Sequence, residues 1–275
     1  MTDTPTPTPE KKSRFAFLEE PGGRMSFLEH LYDLRTRIIH AAFGIAIGIL
    51  VGVSVSKYII NFIIRPMVAA LRGAHLDEHL VYTSPTGYIS LIITLGVYLG
   101  LVFASPWVLY QVWLFVAPGL YKHERGAVVR FIFSSVFLFL CGIAFGYFVM
   151  LPYMLKFLIG LGSQGPIRPL ISIDEYFSLI LVVLLGLGVV FEMPVIIYFL
   201  ALFNLVTPKF LWKNFRYAVL IITILAAIIT PTPDATTMLV FMAPMFLLYF
   251  LGIAVAAMVV RKKRREKALE DSGAT

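Results

Sequence analysis

Charge is scarce in this chain. Only 14% of its 275 residues are charged, against about 25% in soluble domains. With 59% apolar residues, a water-soluble globule could not cover its own surface, so the bilayer is the main solvent. Cysteine is almost absent. Cys141 stands alone inside an apolar run, which excludes an internal disulfide and leaves the redox compartment open. There is no Gly/Ser linker and no internal repeat, so one membrane domain is the simplest organisation. A nucleophile–base set, a P-loop and a dinucleotide fingerprint are also missing, which argues against an enzyme. His75, Asp77, Glu78 and His79 hint at a metal, but no further ligands converge on them. Neither metal nor cofactor is expected.

What is present is apolar runs well beyond the ~18 residues that mark a membrane span. Six emerge, at about 38–56, 88–115, 128–151, 176–203, 217–230 and 237–260. The predicted fold is therefore all-α, with six transmembrane helices. Pro106 is expected to kink the second span and Pro152 to stop the third. The fifth falls short of the ~20 residues of a full crossing, and the fifth and sixth together are expected to be short. Ser84-Pro85 and Thr207-Pro208 set a capping hydroxyl before a proline. Ser26–Glu29 and Ser172–Glu175 match the capping box.

The basic residues set the orientation. The amino-terminal tail, the loops at 116–127 and 204–216 and the carboxy-terminal tail, with their span ends, hold 18 of the 23 Lys and Arg. The opposite loops hold five: Lys57, Arg65, Arg72, Lys156 and Arg168. Both termini are thus expected in the cytoplasm. The net charge of +7 reports this asymmetry rather than nucleic-acid binding. Residues 1–24 read as a disordered tail without a secretory signal, 25–260 as the membrane domain and 261–275 as a basic cytoplasmic tail.

Few residues in such a chain can carry recognition. Glu29 and Asp33 lie four apart on the first helix, where like charges repel by ~0.2–0.5 kcal/mol. A cationic visitor would turn that cost into a gain; alternatively Asp33 pairs with Arg37 and Glu29 is merely solvated. Glu124 sits between His123 and Arg125 in an aromatic loop after Pro118-Gly119. It is either a receptor carboxylate or an acidic helix start. Glu192, in Phe191-Glu192-Met193-Pro194, is a carboxylate in the middle of an otherwise uncharged span. Placement there costs about 2.5–3.5 kcal/mol and makes function the default reading. Asp234 reads as a cap for the sixth helix.

These residues stand in motifs that resemble the TatC family of twin-arginine protein translocase subunits. The motifs are Leu31-Tyr32-Asp33-Leu34-Arg35, Pro66, the block Tyr110–Arg125, Phe191–Pro194 and Thr230-Pro231-Thr232-Pro233-Asp234. The likeness runs from Phe27 to about Val260. It implies a concave receptor scaffold in the bacterial inner membrane that binds folded proteins bearing a twin-arginine signal peptide. By the same resemblance Glu124 is the main acceptor, supported by Asp33, Arg35, Lys122 and Phe115. Glu192 would face an intramembrane pocket, and Pro66 and Asp234 would lie in sensitive outer segments.

The resemblance further implies single-span TatA/TatB-type partners, a homo-oligomer within a larger complex, and the proton gradient as the energy source. A polar partner residue is a plausible mate for Glu192, and short fifth and sixth helices would thin the bilayer. Asp33 departs from the family's usual glutamate by one methylene. The turn before Asp234 is longer than the common form, and Thr236 or Thr237 fills the polar position expected early in the sixth span. Two rivals remain. A proton-coupled secondary transporter would use Glu192 as a relay but needs paired helix breaks. An intramembrane hydrolase would need more than His40 and Glu192.

Overall fold

The computed structural model describes residues 27–116, 128–162, 170–230 and 234–273. Regular structure among them is helical, apart from one isolated parallel bridge between Val81 and Ser172. Helix α1 (Phe27–Gly73) has 47 residues, a length of about 70 Å at 1.5 Å per residue. That is more than twice the ~30 Å hydrocarbon core. Residues 57–73, expected in a loop, continue this helix instead.

Pro66 lies inside α1 without ending it. A helical proline leaves the carbonyl four residues back without its donor. Here the Tyr147 hydroxyl donates to the Phe62 carbonyl at 2.5 Å, and the Tyr176 hydroxyl donates to Ile63 at 2.6 Å. The same solution recurs in α2 (Gly87–Val116). Pro106 frees the Val102 carbonyl, which accepts from the Ser105 hydroxyl at 2.7 Å.

The third column runs through α3 (Val128–Phe145), a π-helical turn at Gly146–Met150 and α4 (Leu151–Gly162). Pro152 was expected to stop it and does not. The Leu151 N–H reaches back five residues to the Gly146 carbonyl, and this widened turn relieves the clash a proline ring makes with an α-helical turn before it. Helices α5 (Ile173–Val190) and α6 (Met193–Leu202) form one column broken at Phe191-Glu192. Helix α7 (Pro208–Lys213) leads to α8 (Phe215–Ile229) and α9 (Ala235–Gly273). The fifth apolar helix, α8, is short, at 15 residues. The sixth is not: α9 has 39 residues, and the basic run from Arg261 prolongs the helix.

Five segments are long and apolar enough to cross a membrane: 30–73, 87–116, 131–162, 173–202 and 235–266; α8 is a shorter apolar helix. The protein is thus a multi-pass membrane protein with an all-α fold. The chain alternates between two faces. One, the amino-terminal face, carries the start of α1, the ends of α2 and α6, and α7. The opposite face carries the end of α1, the bridge between Val81 and Ser172, and the start of α5.

Two packing devices hold the bundle. Helices α1 and α2 meet backbone to backbone, since a Cβ on Gly52 would collide with Gly96 and Gly100. Small residues permit such approach where lipid supplies no hydrophobic drive. Helix α5 is the axis of the core, with Tyr176, Phe177, Ile180, Val183 and Leu187 buried. Capping follows expectation in part. The Thr207 hydroxyl accepts from the Phe210 N–H at 3.1 Å, and the Asp234 carboxylate accepts from Thr237 N–H at 2.7 Å. Ser172 is the N-cap of α5, but its buried hydroxyl makes no cap bond; the backbone bridge to Val81 fixes the residue instead. At Ser84-Pro85 the helix starts later, at Gly87, and the Ser84 carbonyl accepts from the Gly87 N–H.

Candidate functional site

The first site is the seam between α1 and α2 as they reach the amino-terminal face. Three bridges climb it in register. The Trp107 indole donates to the His40 carbonyl at 2.9 Å. One turn further, the Arg37 guanidinium donates to Asp33 at 3.2 Å and to the Gln111 side-chain oxygen at 3.4 Å. At the rim, His30 stacks on Phe115 with ring centroids 4.4 Å apart. The regular four-residue steps on α2, Trp107, Gln111 and Phe115, place all three on one helical face.

Asp33 therefore takes the pairing with Arg37 that its spacing allowed. Both side chains keep about a fifth of their surface exposed, 19% for Asp33 and 22% for Arg37. Such a pair contributes only about 0.2–1 kcal/mol. Arg35 is exposed on the same turn. Glu124 and Lys122 lie outside the described residues, as does the side chain of Glu29. Gln111 and His30 went unremarked in the sequence. Gln111 had a signal, being a polar residue in an apolar span, and it is buried at 4% exposure. His30 carried none, because its role depends on which ring faces it.

The second site lies within the bundle. A cavity of about 730 Å³ opens between α2, α3, α5 and α6, walled by residues such as Val108, Val112, Phe139, Val189 and Phe199. Glu192 lies in its wall at the break between α5 and α6. The break follows from sequence: Pro194 cannot donate to Val190, and the Glu192 carbonyl accepts from Val195 and Ile196 as the helix restarts. One Glu192 oxygen accepts from the Ser135 hydroxyl on α3. The other is buried without a partner among the described residues. The Trp113 indole N–H, in the same cavity wall, is likewise buried and unpartnered. Trp113 stacks on Phe199 at 4.1 Å, which Phe131 meets edge-on at 5.0 Å, so this part of the wall is held by aromatic rings.

An apolar cavity offering one spare acceptor and one spare donor suits a helix that carries a polar group. Unmet polar groups in hydrocarbon cost several kcal/mol each, so such a helix would gain by docking there. Pro66 and Asp234 belong to neither site. At Pro66 the freed Phe62 carbonyl accepts from the Tyr147 hydroxyl, and Asp234 caps α9.

Comparison with known proteins agrees with this architecture. The family of the Sec-independent protein translocase protein TatC matches residues 29–244. A protein of that description from Koribacter versatilis is 48% identical over 263 residues, covering 96% of each chain. One from Aquifex aeolicus is 34% identical over 241 residues, 87% of this chain and 98% of the other. A crystal structure of the twin-arginine translocase receptor TatC superposes with a TM-score of 0.75 at 33% identity, covering 84% of this chain and 100% of that one. The chain belongs to the TatC family, a subunit of the Sec-independent protein translocase.

Proposed function

We propose that this subunit is the receptor for twin-arginine signal peptides and that the α1–α2 seam is part of the receptor surface. One observation carries the reading: the His30–Phe115 stack draws the Leu31–Arg35 motif and the start of the Tyr110–Arg125 block to one rim. In sequence, residues 117–127, with Glu124 and Lys122, follow the end of α2 at Val116. Glu124 acts as the main acceptor, with Asp33, Arg35, Lys122 and Phe115 in support. An arriving guanidinium takes Asp33 from Arg37, which keeps Gln111 as its partner.

The amino-terminal face is cytoplasmic on this reading, as the excess of Lys and Arg on that side demands. The protein sits in the bacterial inner membrane with both termini inside, as one of several copies in a larger complex. Single-span TatA/TatB-type partners meet it within the bilayer, and their polar residue supplies the missing partner of Glu192. The proton gradient supplies the energy, and no chemistry is performed on the cargo. The transporter alternative loses its ground with membership of a translocase family.

The test uses purified full-length protein and synthetic signal peptides. A carboxylate accepts the planar fork of arginine through two parallel bonds that an ammonium cannot reproduce. Replacing the arginine pair by lysines should weaken binding about tenfold or more, and Glu124→Gln should abolish signal-peptide crosslinking while membrane insertion persists. Equal affinity for the two peptides would remove the receptor reading.

A further inference from the structure

The opposite face holds a second, unrelated feature. Between α1 and α4 lies a cleft of about 230 Å³ lined by Arg65, Pro66, Tyr147, Phe148, Pro152 and Lys156. Arg65 also borders an adjoining hollow with Asn61, Val68 and Arg72. Neither Arg65 nor Lys156 forms an ion pair among the described residues. Arg65 lies over the Phe62 ring at 5.8 Å, an apolar support rather than a counter-charge. Arg72 differs: two bonds of 2.7 and 2.8 Å tie it to Glu78, and this contact holds the Glu78 carboxyl below its ordinary value. Among the described residues the cleft is thus lined by two cations and no anion.

We propose that this cleft binds the phosphate headgroup of an anionic phospholipid, with Arg65 and Lys156 as its two cationic ligands. Basic residues are sparse on this face, only five of 23, yet two of them converge on one concavity from separate helices. Phe148 lies eight residues before Lys156 along the same column, about 12 Å nearer the bilayer centre. It is 67% exposed, and Tyr153 and Tyr58 are also exposed on these helices. Cations above an exposed aromatic shelf match an amphiphile whose headgroup meets the charges and whose chain lies on the rings. A free phosphate would use the cations but not the shelf. The carbonyl that Pro66 orphans is already taken by Tyr147, so the two cations remain available to a ligand. The cleft and Asp33 lie at opposite ends of α1, about 48 Å apart along its axis. The proposal therefore stands independently of signal-peptide binding.

A photoreactive phenylalanine analogue at position 148 reads this cleft alone, without signal from the basic end of α9. The full chain, reconstituted in nanodiscs, is irradiated with headgroup-labelled phosphatidylglycerol or phosphatidylcholine. Labelling should favour phosphatidylglycerol and fall about tenfold or more in R65Q/K156Q, since each surface cation adds to anionic-lipid attraction. The charge-conserving R65K/K156R should retain it, which separates loss of charge from loss of fold. Equal labelling by both lipids, or undiminished labelling in R65Q/K156Q, would overturn the proposal. Displacement of the lipid by millimolar inorganic phosphate would overturn it too, by making the ligand a soluble anion.

Discussion

The two carboxylates at the heart of this protein live under opposite conditions. Asp33 stands at the rim, partly exposed, with Arg37 four residues along its own helix. Glu192 is buried at 7% exposure in an apolar cavity wall and, among the described residues, has only the Ser135 hydroxyl to hold one of its oxygens. At the rim, water screens an ion pair and makes exchange cheap. Inside the bilayer nothing replaces a missing partner. On the proposed reading, the rim suits a visitor that swaps one cation for another, and the cavity one that completes an unfinished hydrogen-bond set.

The sharpest way to break this contrast is Glu192→Leu. Removing a half-satisfied carboxylate relieves a placement cost of about 2.5–3.5 kcal/mol. The thermal midpoint in detergent should hold or rise, while export of a folded twin-arginine reporter in a deletion strain falls steeply. Normal export by this variant would make Glu192 a passive residue. The next effect in size concerns the seam itself. Gly52→Leu places a side chain where Gly96 and Gly100 leave no room, and overpacking of this kind costs about 1–3 kcal/mol. A lowered thermal midpoint together with weakened peptide binding is expected. An unchanged midpoint would mean that α1 and α2 can separate freely.

Arg37→Gln should have a smaller effect with a distinctive sign. It releases Asp33 from a pair of about 0.2–1 kcal/mol, so affinity for a twin-arginine peptide should rise severalfold at most. A fall in affinity in titration calorimetry would show Arg37 to be a positioning group rather than a competitor. Smallest is Ser172→Ala. Its hydroxyl is also buried without a partner among the described residues, but it lies outside the cavity, where the backbone bridge to Val81 fixes the residue. Stability should hold or rise, because an unmet buried hydroxyl is removed, with export intact. Lost export would show that an unmet polar group matters outside the cavity as well, and would break the contrast.

Much of the architecture was legible because apolar length is a direct demand of the bilayer. The short α8, the caps at Thr207 and Asp234, and the placing of Glu192 within a span follow from local pattern. The prolines misled. Pro152 reads as a stop and Pro66 as a loop residue, because a sequence shows the lost N–H and not the group that replaces it. Tyr147 takes the carbonyl at Phe62 from 85 residues away, and the π turn before Pro152 makes room for the ring. The sixth helix outran its apolar stretch because a charged sequence can remain helical after it leaves the membrane. In the site, Asp33 with Arg37 was readable from spacing, whereas Gln111, His30 and Trp113 acquire meaning only through their partners.

By itself, the sequence determined the solvent of this protein, the apolar segments and the polar residues out of place among them. Those are properties of composition and of periods of a few residues. Tertiary structure alone decided that the prolines would be bridged, that Phe115 would meet His30, and that Glu192 would keep one oxygen unmatched among the described residues, in the wall of an apolar cavity. Each depends on groups brought together from distant parts of the chain, and backbone approach between glycine-lined helices sets those distances.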